Sequence, residues 1–343
     1  LQDKNPDPSH FQTMSASFPL FLAPMAGVTN TVFRRICKAK GADVVTTEFV
    51  SAEGVLHRNR RTKYYLEFHQ EERPLGVQLF GAEPDRLAAA AREVIDWVRP
   101  DFIDLNFGCP ANKVVCKNGG SSLLKNCPLL ERIANAVVQA AHPVPVTAKI
   151  RIGWDHRSIN ALETARILEQ SGIGRITVHG RTKEQGYSGR ADWTVIGEVA
   201  AGVAIPVIGN GDIASASDAL ARRRETGVSG MMIGRAAMGS PWLFSEIRSA
   251  MDAGCPLPLP TLEDKWRLIC DHCSQEIRWR GDERTAVTAM RSRFMAYTRG
   301  MPGGPRLRDR LARVESLTEL EDLAAFHLGL VANGTLLHPN GVA

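Results

Sequence analysis

The 343-residue sequence lacks any uninterrupted apolar run near the ~20 residues that a membrane-spanning helix requires, which excludes a bilayer-spanning chain of helices. Its start, Leu1 to Ser15, is polar, carries Pro6 and Pro8, and has no apolar core of a secretory signal, so residues 1–16 are expected to form a loose tail. Cysteine is sparse and odd in number: Cys37, Cys109, Cys116, Cys127, Cys255, Cys270 and Cys273 are scattered, against a disulfide framework and in favour of a reducing compartment. From these absences a cytoplasmic location is expected. No fixed-period repeat or low-complexity tract is present either. Metal-ligand spacing is nearly missing: Cys270-Asp271-His272-Cys273 has the CxxC interval, but it lies in a helical pattern with no second pair, and no metal is expected. Gly172-x-Gly174 has no third glycine and precedes a strand, so it is no dinucleotide fingerprint.

What is present allows a full core: 44% of residues are hydrophobic and 23% charged. The length exceeds the roughly 250–300 residues at which one core stops growing, so one large domain with a small one fits best. From Leu20 to about Ala250, short apolar runs alternate with Ala- and Leu-rich segments of helical period. Candidate strands are Leu20–Pro24, Asp43–Phe49, Leu75–Phe80, Phe102–Asn106, Val144–Ile150, Arg175–His179, Ala204–Gly209 and Gly230–Gly234; the clearest helices are Pro84–Val98, Pro128–Ala141, Ser158–Gln170 and Ser215–Arg224. Near-continuous Val, Ile and Leu in the strands fits a parallel sheet buried on both faces. Eight such rounds predict an α/β fold, a (β/α)8 TIM barrel over residues 17–254, with an open doubly wound sheet as the rival. Three prolines in 255–260 mark a linker. Beyond it only helical signals appear, with Thr261/Asp264 and Ser316/Glu319 at capping-box spacing, so 261–343 reads as a small all-helical domain.

The formal net charge is only +5, but it is unevenly spread. Between Arg278 and Arg313 stand ten arginines against three acids, a local +7 that leaves −2 for the rest of the chain. Arginine is the side chain suited to bidentate phosphate contact. The run Arg58 to Tyr65 reads as a solvated loop after the second strand or as a second RNA-contact patch.

Barrel enzymes carry their chemistry at the C-terminal ends of the strands. Those ends supply Pro24-Met25-Ala26-Gly27, Glu48, Gln78, Asn106-Phe107-Gly108-Cys109-Pro110, Lys149 with Arg151, His179-Gly180-Arg181-Thr182, Asn210-Gly211-Asp212 and Gly234-Arg235. Glycine turns after the last two strands expose backbone N–H groups where barrels bind phosphate. Cys109, in a Gly-Cys-Pro turn at the mouth, suits a proton donor, and the loop behind it, ending in Gly119-Gly120-Ser121-Ser122, could close over a site.

With these motifs in view the chain resembles the tRNA-dihydrouridine synthases, nearest their B-type bacterial branch, from Leu22-Ala23-Pro24-Met25-Ala26-Gly27-Val28-Thr29 to about Phe326. The combination of Asn-x-Gly-Cys-Pro, His-Gly-Arg-Thr and a terminal Gly-Arg is specific. The resemblance implies an FMN barrel with a helical tRNA-binding domain that reduces the C5=C6 bond of uridine in tRNA, re-reduced by NADPH, and working as a monomer. It implies that Pro24, Met25 and Ala26 line the flavin and that Gln78 bonds its pyrimidine edge. Lys149 would sit near N1 and O2, His179 beside the flavin or its phosphate, and Asn210, Gly211, Asp212, Gly234 and Arg235 at the ribityl phosphate. Asn106, with Arg151 and Arg181, would hold the substrate, and Cys109 would protonate C5. Arg291 and Arg293 match a basic RNA-contact cluster, although the family's Lys and His are replaced in Arg291-Ser292-Arg293. The competing functions are a flavin barrel acting on a free small molecule of dihydroorotate or enoate type, and a non-catalytic tRNA-binding protein.

Overall fold

The computed structural model describes residues 18–116, 118–254 and 257–336. The expected tail, linker positions Cys255 and Pro256, and residues 337–343 lie outside the described residues. Nine strand segments form one parallel sheet: β1 (Leu20–Leu22), β2 (Val45–Thr46), β3 (Val50–Ser51), β4 (Leu75–Phe80), β5 (Phe102–Phe107), β6 (Val146–Arg151), β7 (Arg175–His179), β8 (Val207–Asn210) and β9 (Gly230–Ile233). Their order is β1-β9-β8-β7-β6-β5-β4-β2, with β3 also on β4. Leu22 N–H to Val44 O at 2.9 Å and Asp43 N–H to Leu20 O at 2.8 Å join the two ends. The barrel is therefore formed, and the open sheet is not.

Helices α1 (Thr31–Ala39), α2 (Ala52–Leu56), α3 (Arg60–Leu66), α4 (Pro84–Val98), α5 (Asn112–Val115), α6 (Cys127–Ala141), α7 (Ala161–Gln170), α8 (Trp193–Gly202), α9 (Ala216–Thr226), α10 (Arg235–Gly239) and α11 (Leu243–Asp252) accompany the strands. Among the described residues, only α12 (Leu262–Arg280), α13 (Glu283–Tyr297), α14 (Gly304–Leu311) and α15 (Leu317–Ala332) come after them. No helix among the described residues is long and apolar enough to cross a membrane.

Several element ends are shifted from the pattern reading, among them that of β8, which starts at Val207 and not Ala204, and three of the differences have a local reason. The second strand breaks into β2 and β3 because the Thr47 hydroxyl accepts the N–H of Gln78 at 3.2 Å while the buried Glu48 carboxylate turns to the N–H of Gly27. Residues 60–66 are a helix, capped by Asn59 on Thr62 N–H at 2.8 Å, not a loop. Helix α7 starts at Ala161 rather than Ser158, since Ser158 closes a polar turn on Asp155 at 2.9 Å. Thr261 and Asp264 do form the reciprocal cap of α12. Ser316 caps α15, but Glu319 reaches to the N–H of Glu315 instead of Ser316.

Inside the barrel, Phe21, Phe102, Ile208 and Met232 form the floor beneath the mouth. The Arg175 guanidinium lies 4.7 Å from the Phe21 ring and 4.9 Å from that of Phe102. Gly76 is what lets Phe102 in: a β-carbon there would stand 2.1 Å from the ring. On the outside, α12 packs against α1 and α13 against α10. Asn30, the cap of α1, donates its side-chain amide to Glu276 of α12, and Phe33 stacks on His272 at 5.8 Å. Gly76→Ala is expected to cost roughly 1–3 kcal/mol or more through overpacking of this floor. Chemical denaturation should show it as a lower midpoint; a wild-type midpoint would mean that Phe102 is free to move.

Candidate active site at the barrel mouth

A chain of buried hydrogen bonds runs up β4 and β5 to the mouth. Asp104 accepts from the Thr147 hydroxyl at 2.5 Å and from the Gln78 side-chain amide at 2.6 Å. Gln78 in turn accepts from the Asn106 amide at 2.7 Å, and Asn106 Oδ1 accepts the N–H of Cys109 at 2.9 Å and of Gly108 at 3.2 Å. Asn106 thus fixes the turn that carries the thiol, and Gln78 is wholly buried behind it. Burial pushes the Asp104 carboxyl up, against the pull of Thr147 and Gln78. The other side of the turn is pinned as well: Ser121 gives both its N–H and its hydroxyl to Cys109 O, at 3.1 and 2.9 Å. Gly120, at φ +58°, has no room for a β-carbon, which would meet that same oxygen at 2.8 Å. The loop predicted to close over the site is therefore braced where it rejoins the barrel.

Cations gather beside this turn. Arg151 Nε donates to Gly108 O at 3.0 Å, and its Nη1 to Thr182 O and Gly186 O at 2.8 and 2.9 Å, tying the loops after β5 and β7 together. Lys149 Nζ donates to Asn210 Oδ1 at 3.0 Å, and Asn210 donates to Met232 O at 2.7 Å. Arg181 Nη2 meets both oxygens of Asp212 at 2.8 Å, while Arg235, largely exposed, stands 3.7 Å from the same carboxylate. Burial, reinforced by Lys149, Arg151, Arg181 and Arg235, drives His179 far down, so its imidazole stays neutral. Its Nδ1 accepts the N–H of Arg181 at 3.2 Å, fixing the ring. Both Lys149 and Arg151 lie within electrostatic reach of the Cys109 sulfur.

This donor set suits the flavin phosphate that the sequence implies. Four cations press on one neutral imidazole, and one partner of Arg235 is a carboxylate 3.7 Å off, a loose pair that leaves the guanidinium able to meet an anion. Gly211, at φ +128°, and Gly234 hold the backbone of the two loops, and a β-carbon on Gly234 would only graze Ala23 and Met25. Pro24 and Met25 are half-buried, and Ala26 is exposed, on the β1 loop. That loop borders a cavity of about 870 Å³ whose walls include Glu48, Phe49, Tyr65, Phe80 and Cys116.

Two of the expected RNA contacts lie on α13. Arg293 is buried and electrostatically coupled to Glu276, Tyr297 and Glu48, so it faces inward rather than to solvent. Arg291 is half-buried and donates to Val314 O at 3.3 Å. The CxxC residues lie on α12, where His272 Nδ1 pairs with the Tyr297 hydroxyl at 2.9 Å. Three residues of interest were not assigned roles from sequence. Asp104 and Glu48 anchor their neighbours from below. The exposed Tyr187 ring lies 4.5 Å from the Arg235 guanidinium and 5.8 Å from that of Arg151, and its only signal is an aromatic in a Gly- and Ser-rich loop.

Comparison with solved structures supports the architecture: the old yellow enzyme from Trypanosoma cruzi superposes with a TM-score of 0.52 at 10% identity, over 71% of this chain and 90% of that one. The likeness is one of fold: both chains form a parallel β/α barrel. The dihydrouridine synthase (Dus) family model matches residues 21–329, and the chain belongs to that family. Its relatives include the tRNA-dihydrouridine synthase B of Pseudomonas putida, 40% identical over 296 residues, 86% of this chain and 87% of that protein. A probable tRNA-dihydrouridine synthase 1 of Synechocystis sp. is 36% identical over 330 residues, 94% and 92% of the two chains.

Lys149 carries a titration that can be measured. Burial, helped by Arg151 and opposed by Asp104 and Cys109, lowers its pKa to about 7. An unfolded lysine titrates near ~10.4, so between these values the unfolded chain binds the extra proton and stability rises with pH. Lys149→Met in flavin-free protein should therefore raise the melting temperature most below pH 7, with the gain shrinking towards pH 10. A gain of equal size at every pH would contradict this origin.

Proposed function

We propose that the protein reduces the C5=C6 bond of uridines in tRNA to give dihydrouridine, using bound FMN that NADPH re-reduces. The observation that carries this reading is the Asp104–Gln78–Asn106–Cys109 chain, which presents one thiol beside Lys149 and Arg151 at the mouth of a barrel of this family. Pro24, Met25 and Ala26 would line the flavin, and Asn210, Gly211, Asp212, Gly234 and Arg235 its phosphate end, with Asp212 acting through Arg181 and Arg235. Neutral His179 would pack beside it as a fixed hydrogen-bonding wall. When bound, the flavin supplies hydride to C6 of the uracil.

The chain's own residues do the rest. Lys149, poised near neutrality, would answer the charge that develops around N1 and O2 of the ring. Gln78, buried behind Asn106, would reach that ring's pyrimidine edge only through its remaining amide hydrogen. Asn106 has one amide hydrogen left for a base, and its principal work is to aim Cys109. Arg151 and Arg181, each held by several carbonyl or carboxylate oxygens, would fix the loops against which the base rests. Cys109 hands its proton to C5, completing the addition of two hydrogens across the double bond. Excess positive charge on α12 to α14 would attract the RNA, through the exposed Arg278, Arg284, Arg299, Arg306, Arg310 and Arg313, while Arg291 and Arg293 shape the helices that present them. On this reading the protein works as a monomer in the cytoplasm.

Cys109→Ala should keep the yellow flavin and its reduction by NADPH but make no dihydrouridine in unmodified tRNA, as read by nucleoside mass spectrometry. Full turnover by this variant would remove Cys109 as the acid, and turnover on free uracil, orotate or enones instead of tRNA would replace the substrate.

A further inference from the structure

Three loops of the rim meet at one indole. Trp154 follows β6, Lys183 follows β7, and Lys125 closes the 3-10 turn Gly120–Lys125 behind the Cys109 loop. Their backbones are stitched together: Lys183 and Glu184 donate their N–H groups to Gly153 O and Trp154 O, both at 3.0 Å, and the Asn160 amide donates to Leu124 O at 2.8 Å. Lys125 Nζ lies 3.9 Å from the Trp154 ring centroid and Lys183 Nζ 4.3 Å from it.

One cation over an indole is a modest attraction, about 0.5–1 kcal/mol at an exposed site. Two ammonium groups drawn to the same ring repel each other. Among the described residues neither has an ion pair, and the neighbouring Asp155 carboxylate is engaged by the Ser158 hydroxyl and the Arg157 N–H at 2.9 and 2.8 Å. Positive charge is thus concentrated on a braced scaffold with no carboxylate in ion-pair contact with either ammonium group among the described residues.

The place of the cluster shows what would neutralise it. In the closed order of the barrel, β6 stands four staves from β1 in either direction. The C-terminal helices pack on α1 and α10, which follow β1 and β9. The loop that carries Trp154 therefore lies across the mouth from them. A nucleotide flipped into the mouth leaves its flanking phosphates on the rim. A strand gripped by the arginine-bearing helices on one side must leave over the other.

We propose that Lys125 and Lys183, steered by Trp154, form a backbone-phosphate subsite for the RNA substrate on the rim opposite the helices. The proposal rests on the tRNA-reductase reading above. Ammonium groups act as point charges, so the subsite sets affinity and register and reads no base.

The test is binding of unmodified tRNA to the flavin-loaded full chain over a series of salt concentrations. Lys125→Met with Lys183→Met should flatten the slope of log K against log salt by about 1.4–1.8, two contacts at ~0.7–0.9 each. It should also raise KM for tRNA about tenfold while leaving kcat within about twofold, and the Lys→Arg pair should restore both. Trp154→Leu, which frees the ammonium groups, should give an intermediate loss. Unchanged slope and KM in a double variant that melts like the wild type would overturn the subsite alone. A higher KM for NADPH with unaltered tRNA binding would overturn it too, assigning the charges to the reductant's phosphates. Wild-type protein that binds tRNA without salt dependence would sink the parent reading along with it.

Discussion

The position of one sulfur atom depends on a carboxylate that never reaches the surface. Asp104 holds Gln78, Gln78 holds Asn106, and Asn106 holds the backbone of Cys109. The first two links are buried and the third partly so; each buried partner left unpaired would cost about 1–3 kcal/mol, and the chain has little freedom to rearrange. A proton donor needs that constancy, because a displacement of a fraction of an ångström changes which atom of a base it can reach. The rest of the mouth repeats the same economy: Arg151 spends its donors on three carbonyl oxygens, and Arg181 on a carboxylate and two more.

The charges at the mouth then divide by burial. Deep cations such as Lys149 lose their proton readily, and a deep imidazole never gains one. At the rim, Arg235 is only loosely paired with Asp212. Positive charge is thus thinned at Lys149 and His179, while the guanidinium groups of Arg151, Arg181 and Arg235 ring the mouth, an arrangement that favours a ligand carrying phosphate.

Much of this was legible in the chain itself. Parallel strands buried on both faces must be written almost continuously in Val, Ile and Leu, and that pattern located all eight staves to within a few residues. The Gly-Cys-Pro turn and the two glycine loops are equally local, since only particular residues make such turns. What could not be read was contact between distant segments. Arg293 looks like an RNA-facing charge until Glu48 and Glu276, from two other parts of the chain, are seen to face it. Helix α3 is disguised by its polarity: of Arg60 to Leu66 only Thr62 and Leu66 are buried, too few to show a period. The break between β2 and β3 likewise depends on Gly27 and Gln78, which sequence cannot place beside Glu48 and Thr47.

The seam between the first and second staves is short, and α1 lies over it with α12 packed on its outer face. Asn30 and Phe33 on α1 find Glu276 and His272 only because the chain returns after a detour of some 240 residues. A barrel severed before Thr261 would turn an aromatic ring and a capping amide towards water at the very joint where its circle is least well laced. Recombining such barrels with foreign helical ends would therefore demand a matched α1 surface.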